Sequence, residues 1–222
     1  MRDCRSEFVR RIVVIGESNA FGMCAIDPRN EWVQTVASLI RDFQDAPLQV
    51  FNNSIPANVI GPESPGYESS AKPSALERYE RDLIALKPDL AIIAYGLNDA
   101  CCGYPAEKFL RDLEMIISDV RRETDALVVL TSPYWNPQFD PELWNSLEEK
   151  PDLGAFSKVG REQVWSYVVG IRELAERYGC IFVDLFTTTE GALWLLHDDK
   201  CHYNDVGQRV LGQLVFNAIA AN

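Results

Sequence analysis

The sequence predicts an α/β protein, with a parallel β-sheet covered by helices on both faces. Three observations lead there. Five short runs are apolar and rich in β-branched residues: Ile12–Ile15, Leu48–Phe51, Leu90–Ala94, Leu127–Leu130 and Cys180–Val183. They are continuous rather than alternating, as strands buried on both faces require. Helical patterns lie between them, with a strand period of about 40 residues, and that alternation is the signature of crossover-connected parallel strands.

The elements follow in order. The first run empties into Gly16-Glu17-Ser18. A helix comes next, with Trp32, Val36, Leu39, Ile40 and Phe43 at spacings of three and four. The second run leads into Asn52-Asn53-Ser54 and a Pro/Ser/Gly-rich loop from Asn53 to Pro73. The third run ends in Tyr95-Gly96-Leu97-Asn98-Asp99, and Phe109, Leu113, Ile116, Ile117 and Val120 mark the helix after it. The fourth run ends in Thr131-Ser132-Pro133-Tyr134-Trp135. Val164, Val168, Ile171, Ala175 and Tyr178 form one helical face, and Gly179 stops that helix. After the fifth run comes "HDDKCHYNDVG", and then a last helix with Val206, Val210, Leu214 and Ala218 on one side.

The chain of 222 residues reads as a single domain over 1–222. One stretch breaks the alternation. Residues 133–160, rich in Pro, Asn and aromatics, are too long for an ordinary connection and form a loop excursion. It reads either as a substrate-facing wall or as a surface loop or subunit contact, and it offers a surface for a homodimer.

A net charge of −12 repels nucleic acid and anionic membrane surfaces. No stretch approaches the ~20 apolar residues of a membrane span, so stable membrane insertion is not expected. The six cysteines show no C-x-x-C and no paired zinc spacing, which reads as reduced thiols. The N-terminus has no apolar signal-peptide core. These features together predict a cytoplasmic protein.

In an open parallel sheet, ligands bind beyond the carboxyl ends of the strands. Ser18 stands at such an end. Gly16 and Gly22 are one residue too far apart for a phosphate-binding loop, and Met23 stands where its lysine should be. The G-x-S-x-G elbow fails because residue 20 is alanine. Ser18 is then a helix cap or a nucleophile. A serine nucleophile needs a base, and imidazole is the usual one near neutral pH. Only two histidines exist, His197 and His202. Asp199 lies three residues before His202, within reach of imidazole Nδ1, and Asp198 is its rival. Nothing acidic precedes His197 at that spacing, so it reads as a structural or rim residue.

Asp198, Asp199, Cys201 and His202 crowd one short turn. Such crowding rarely closes a metal shell, and no second cluster completes it, so no metal is expected. A cysteine enzyme built on Cys24, Cys101 or Cys102 lacks a local signature. Acyl transfer also needs donors for an oxyanion. The Asn98 side-chain amide and the backbone N–H groups of Ser18 and Ser54 come from three adjacent strand ends.

The ordered set "GES", "NNS", "GLND" and "DKCH", followed by "YNDVG", resembles the four blocks of the SGNH hydrolase superfamily, also called GDSL esterases/lipases. The resemblance covers nearly the whole chain. It implies a flavodoxin-like three-layer α/β/α sandwich with a five-stranded parallel sheet in the order 2-1-3-4-5. It implies Ser18 as nucleophile, His202 as base and then acid, and Asp199 as its orienter. It also implies an oxyanion hole from the Ser18 N–H, a second-block N–H and the Asn98 amide, with no cofactor. Two positions depart from the family pattern. Glu17 replaces the usual aspartate, which implies altered local hydrogen bonding. The second block lacks its glycine, so Ser54 is the nearest donor, with Asn53 as the alternative.

The expected activity is hydrolysis of a small-molecule carboxylic ester with a short acyl or acetyl group, on carbohydrate as one option. A lysophospholipase or acyl thioesterase would use the same machinery. A catalytically weak carbohydrate-binding relative and a flavodoxin-like nucleotide binder are the non-hydrolytic alternatives.

Overall fold

A computed structural model describes residues 8–44, 46–157 and 160–222. The strands are β1 (Arg11–Gly16), β2 (Gln49–Asn52), β3 (Leu90–Ala94), β4 (Leu127–Thr131) and β5 (Ile181–Val183), all parallel, in the order β2-β1-β3-β4-β5. β3 is buried along its whole length, and β1 along all but its first residue. β2 departs from the expected two-sided burial. It is an edge strand, and each of its residues is partly or fully exposed.

The helices are α1 (Ser18–Phe21), α2 (Trp32–Phe43), α3 (Tyr79–Asp82), α4 (Leu97–Cys101), α5 (Ala106–Glu123), α6 (Pro141–Ser146), α7 (Arg161–Tyr178), α8 (Leu185–Thr189) and α9 (Asp205–Ala220). α2 packs on α9, and α5 on α7. Right-handed crossovers run outward from β1 toward β2 in one direction and from β3 toward β5 in the other, which sends the two helix pairs to opposite faces. The Phe109 and Tyr167 rings stack at 4.4 Å and join α5 to α7. α7 ends at Gly179, as its sequence position predicts.

The excursion divides in two. Tyr134, Trp135, Pro137 and Phe139 are buried, and Phe139 lies 6.0 Å from Phe186 between ring centres. Trp135 and Phe139 are therefore core side chains and offer no open face to a ligand. From Asp140 onward the chain is mostly at the surface, with Trp144 and Phe156 half-buried. Residues 158 and 159 of the excursion lie outside the described residues, as does Cys4. Among the described residues, no helix is long and apolar enough to cross a membrane.

Candidate active site

Ser18 is the first residue of α1, directly beyond β1. Its backbone N–H is one of the unpaired donors that begin every helix. The last loop reaches it from the far end of the chain. His202 Nε2 lies 3.0 Å from Ser18 Oγ, and His202 Nδ1 lies 2.6 Å from Asp199 Oδ2. Asp199 is the partner, and its rival Asp198 is exposed.

The carboxylate is locked in place by the turn itself. Asp199 Oδ1 accepts the backbone N–H groups of Cys201 and His202, both at 2.9 Å. Burial raises the Asp199 pKa, but the His202 side chain and these two N–H groups outweigh it. The carboxyl is held well below the usual carboxylate range. An ionised Asp199 can only accept. Nδ1 must then carry the imidazole proton, and the Nε2 lone pair faces the Ser18 hydroxyl.

Several tethers bring this loop, so distant in sequence, to the first turn. The Tyr203 N–H donates to Asn19 Oδ1 at 3.1 Å, and the Ile26 N–H to Asp205 Oδ1 at 3.0 Å. Asn204 caps α9, accepting the Val206 and Gly207 N–H groups at 3.0 Å each, while its amide donates to the Trp194 and Leu196 carbonyls at 2.9 and 3.0 Å. Gly207 lets α9 start there, because a Cβ would lie 2.3 Å from the Leu195 carbonyl oxygen.

The third block supplies Asn98, in α4. Gly96 makes its turn possible: φ is 124°, and a Cβ would press on Phe109, Pro133 and Tyr167. Glu17 braces this turn from the neighbouring strand end. Its Oε1 accepts the Gly96 N–H at 2.9 Å and the Asn98 N–H at 3.2 Å. These are the bonds made at the position where Glu stands in place of the family's usual Asp. Burial pushes the Glu17 carboxyl well above its ordinary pKa, and nearby Asp99 adds to that. Glu17 Oε2 has no partner among the described residues.

The second block reaches the same edge. The Asn53 N–H donates to the Val14 carbonyl at 2.8 Å, and the Ile55 N–H to the Gly16 carbonyl at 3.0 Å. Ser54 thus sits beside the Ser18 turn, but its N–H already reaches Asn52 Oδ1 at 3.3 Å. The left-handed residue of this loop is Ala57, with φ of 55°. Among the described residues, the Ala57 N–H has no hydrogen-bond partner. Its neighbour Asn58 accepts one N–H of the Asn98 amide at its carbonyl, at 2.8 Å, and the other N–H has no partner among the described residues.

The Cys24 thiol reaches the site, with Sγ 3.4 Å from Asp199 Oδ2. Burial first, and then the Asp199 charge, push it up to about 11. It is a poor nucleophile at neutral pH. Cys101 is buried and its pKa is likewise raised.

Sequence reasoning singled out Glu17 for its local hydrogen bonding but missed the bracing roles of Asn19, Asn58 and Asp205. Their signal is faint. Each is a polar residue near a block, and its partner lies on another segment.

Ser18, His202 and Asp199 meet at the carboxyl ends of a five-stranded parallel sheet in the order β2-β1-β3-β4-β5, and the family match makes the chain a hydrolase that acts on ester bonds. The chain belongs to the GDSL-like lipase/acylhydrolase family, which matches residues 14–210. Among solved structures it is similar to TesA, with a TM-score of 0.71 at 18% identity over 96% of this chain and 99% of that one. A lipase/acylhydrolase from Enterococcus faecalis aligns with a TM-score of 0.70 at 20% identity, covering 96% of each chain. Axe2, an acetylxylan esterase from Geobacillus stearothermophilus, aligns with a TM-score of 0.68 at 18% identity over 95% of this chain and 94% of that one. No curated protein matches the chain by sequence.

Proposed function

We propose that the protein is a serine esterase working through Ser18, His202 and Asp199. The observation that carries this is the unbroken series from Ser18 Oγ to His202 Nε2 at 3.0 Å and from Nδ1 to Asp199 Oδ2 at 2.6 Å. Ser18 attacks the ester carbonyl as Nε2 takes its proton. Asp199 stabilises the imidazolium. His202 then protonates the leaving alcohol, and a water activated by the same nitrogen releases the acid.

The oxyanion is held by the Ser18 N–H, the free N–H of the Asn98 amide and a second-block N–H. For that third donor we favour Ala57 over Ser54. Among the described residues, Ala57 presents an N–H with no partner, next to the residue that Asn98 touches, whereas the Ser54 N–H is turned to Asn52.

The substrate we propose is a short acyl or acetyl ester, with a carbohydrate alcohol. Trp194 is 67% exposed and its carbonyl is bound by Asn204, two residues past His202, so its ring can stack on a sugar near the site. The acetylxylan esterase Axe2 is compatible with this reading. A second reading, a longer acyl chain as in a lysophospholipase or thioesterase, is favoured by Phe21 and Met23, which are exposed just beyond Ser18. A p-nitrophenyl ester series separates the two. Turnover falling from acetate to octanoate supports the first, and the reverse order supports the second.

The nucleophile is tested with a fluorophosphonate probe and intact mass measurement. The wild type gains one adduct and folded Ser18→Ala gains none, with ester turnover down by roughly 10⁴-fold or more. An unlabelled, folded wild type would leave a binding protein instead of an enzyme.

A further inference from the structure

We propose that Cys24, Asp199 and His202 form a binding site for a thiophilic divalent cation of the zinc class, and that an occupied site silences the His202 base. The cation site goes beyond the proposed function; only the silencing rests on it.

The donor set is a thiol, a carboxylate and an imidazole, and their ligand atoms all lie within 4.8 Å of one another. A tetrahedral zinc shell with such ligands spaces them roughly 3.3–3.6 Å apart. Cys24 Sγ and Asp199 Oδ2 are already 3.4 Å apart, and His202 Nδ1 and Asp199 Oδ2, 2.6 Å apart across their shared proton, must part by roughly 0.7 Å when a cation replaces that proton. Both Asp199 oxygens have defined jobs. Oδ1 is tied to the backbone at Cys201 and His202, which leaves Oδ2 facing the thiol and the imidazole. The three residues are partly accessible, so an ion can enter from solvent. The turn carrying Cys24 is also built. Cys24 has a left-handed φ of 67°, and the Met23 and Ala25 N–H groups on either side are bonded to Ser18 and Gly22 carbonyls at 3.0 Å.

This closes a gap that the local sequence leaves open. One short turn around Asp199 and His202 cannot surround a metal by itself. The fold brings the third donor from the loop after β1, 175 residues away.

The coordination balances simply. The Cys24 thiol releases its proton to solvent and binds as thiolate, as a coordinating thiol does. The cation takes His202 Nδ1 in place of its proton, which passes through solvent to Nε2. Water fills the fourth position. A neutral imidazole protonated at Nε2 cannot accept the Ser18 proton, so the nucleophile is left without its base.

The test uses Co²⁺ as a coloured stand-in for zinc on the reduced, intact protein. The wild type develops a thiolate-to-cobalt charge-transfer band that saturates at one ion per chain and is displaced by Zn²⁺. The band is absent in Cys24→Ser and kept in Cys201→Ser. Cys24→Ala serves if Cys24→Ser fails to fold. In parallel, Zn²⁺ lowers wild-type p-nitrophenyl acetate turnover by roughly tenfold or more, and a chelator restores it. Removing an outer-shell partner typically costs about 10–100-fold in metal affinity, so loss of the thiolate shifts the zinc inhibition midpoint at least that far. No thiolate band in the wild type, a band that survives Cys24→Ser, or equal inhibition midpoints in both proteins would overturn the proposal. If no ester is turned over at all, the proposed function falls while the cobalt titration still decides the site.

Discussion

Asp199 and Glu17 both stand next to the Ser18 turn, one in the loop before α9 and the other between β1 and α1, and their surroundings drive them in opposite directions. Asp199 is partly open to solvent, accepts two backbone N–H groups and faces an imidazole; these contacts hold it ionised. Glu17 is buried, lies near a second acid, and has one oxygen with no partner among the described residues; burial favours its neutral form. In the proposed reaction, positive charge develops on His202, beside Asp199. Negative charge develops on the substrate oxygen near Asn98, whose backbone Glu17 braces. The same functional group is thus pushed toward its charged form where a cation forms and toward its neutral form where an anion forms. Environment, not residue type, assigns the roles.

This contrast can be broken from either side. The largest effect belongs to the ionised member. Asp199→Asn leaves a carbonyl or an amide N–H at Nδ1 and removes the charge, and kcat for p-nitrophenyl acetate is expected to fall by about 10²–10⁴-fold with little change in thermal midpoint. Activity near wild type would mean that another group orients His202.

Asn98→Ala comes next. Removing one oxyanion donor typically costs ~10²–10³ in kcat. The loss should appear in kcat more than in KM, since the contact forms chiefly in the transition state. A change confined to KM would assign Asn98 to ground-state binding.

Glu17 sharpens the comparison. If its neutral form is the working one, Glu17→Gln keeps an acceptor for the Gly96 and Asn98 N–H groups and should stay within about threefold of wild type. Glu17→Ala leaves both N–H groups unmet and should lower kcat by roughly tenfold, about 1.4 kcal/mol. Equal losses in the two variants would show that the charge, and not the acceptor, matters.

The last effect is on stability and leaves the chemistry untouched. Asp99 is fully buried beside Glu17, accepts the Ile60 N–H at 2.9 Å, and burial raises its pKa to about 7. A carboxyl raised in the folded state lends stability that is complete below its unfolded pKa and is lost as pH rises through the folded one. Asp99 therefore costs the fold stability between about pH 4 and pH 7. Asp199, lowered, behaves oppositely: its contribution is present above the ordinary carboxylate range and lost on acidification. In urea titrations across that window, Asp99→Asn should flatten the decline by roughly 1–3 kcal/mol. Parallel curves for the two proteins would place the Asp99 ionisation elsewhere.

Much of the site was legible because its chemistry is written in local patterns. The Asp199-to-His202 spacing is an i,i+3 relation within one turn, and the structure closes it at 2.6 Å. Asn98 follows a glycine whose positive φ the strand-to-helix turn demands. The second block was the least legible. No residue pattern distinguishes Ser54 from Ala57 as a donor, because a backbone N–H has no side-chain signature and its direction depends on φ and ψ. The aromatic excursion misled for a related reason. Trp135 and Phe139 carry the same composition signal whether they line a pocket or fill the core, and only packing places them in the core.

The sequence by itself determined the class of fold, the five strands and the long helices, and it named the candidate residues for ester chemistry. Hydrophobic periodicity and turn chemistry act between near neighbours, so they can be read along the chain. Tertiary structure alone decided which oxygens and nitrogens face each other across the sheet edge. It set Glu17 under the Asn98 turn, shifted the Asp199 and Glu17 pKa values in opposite directions, and brought Cys24 to Asp199. Those outcomes depend on burial and on distances of a few ångströms between segments remote in sequence, and desolvation and Coulomb terms do not exist until the chain has closed around them.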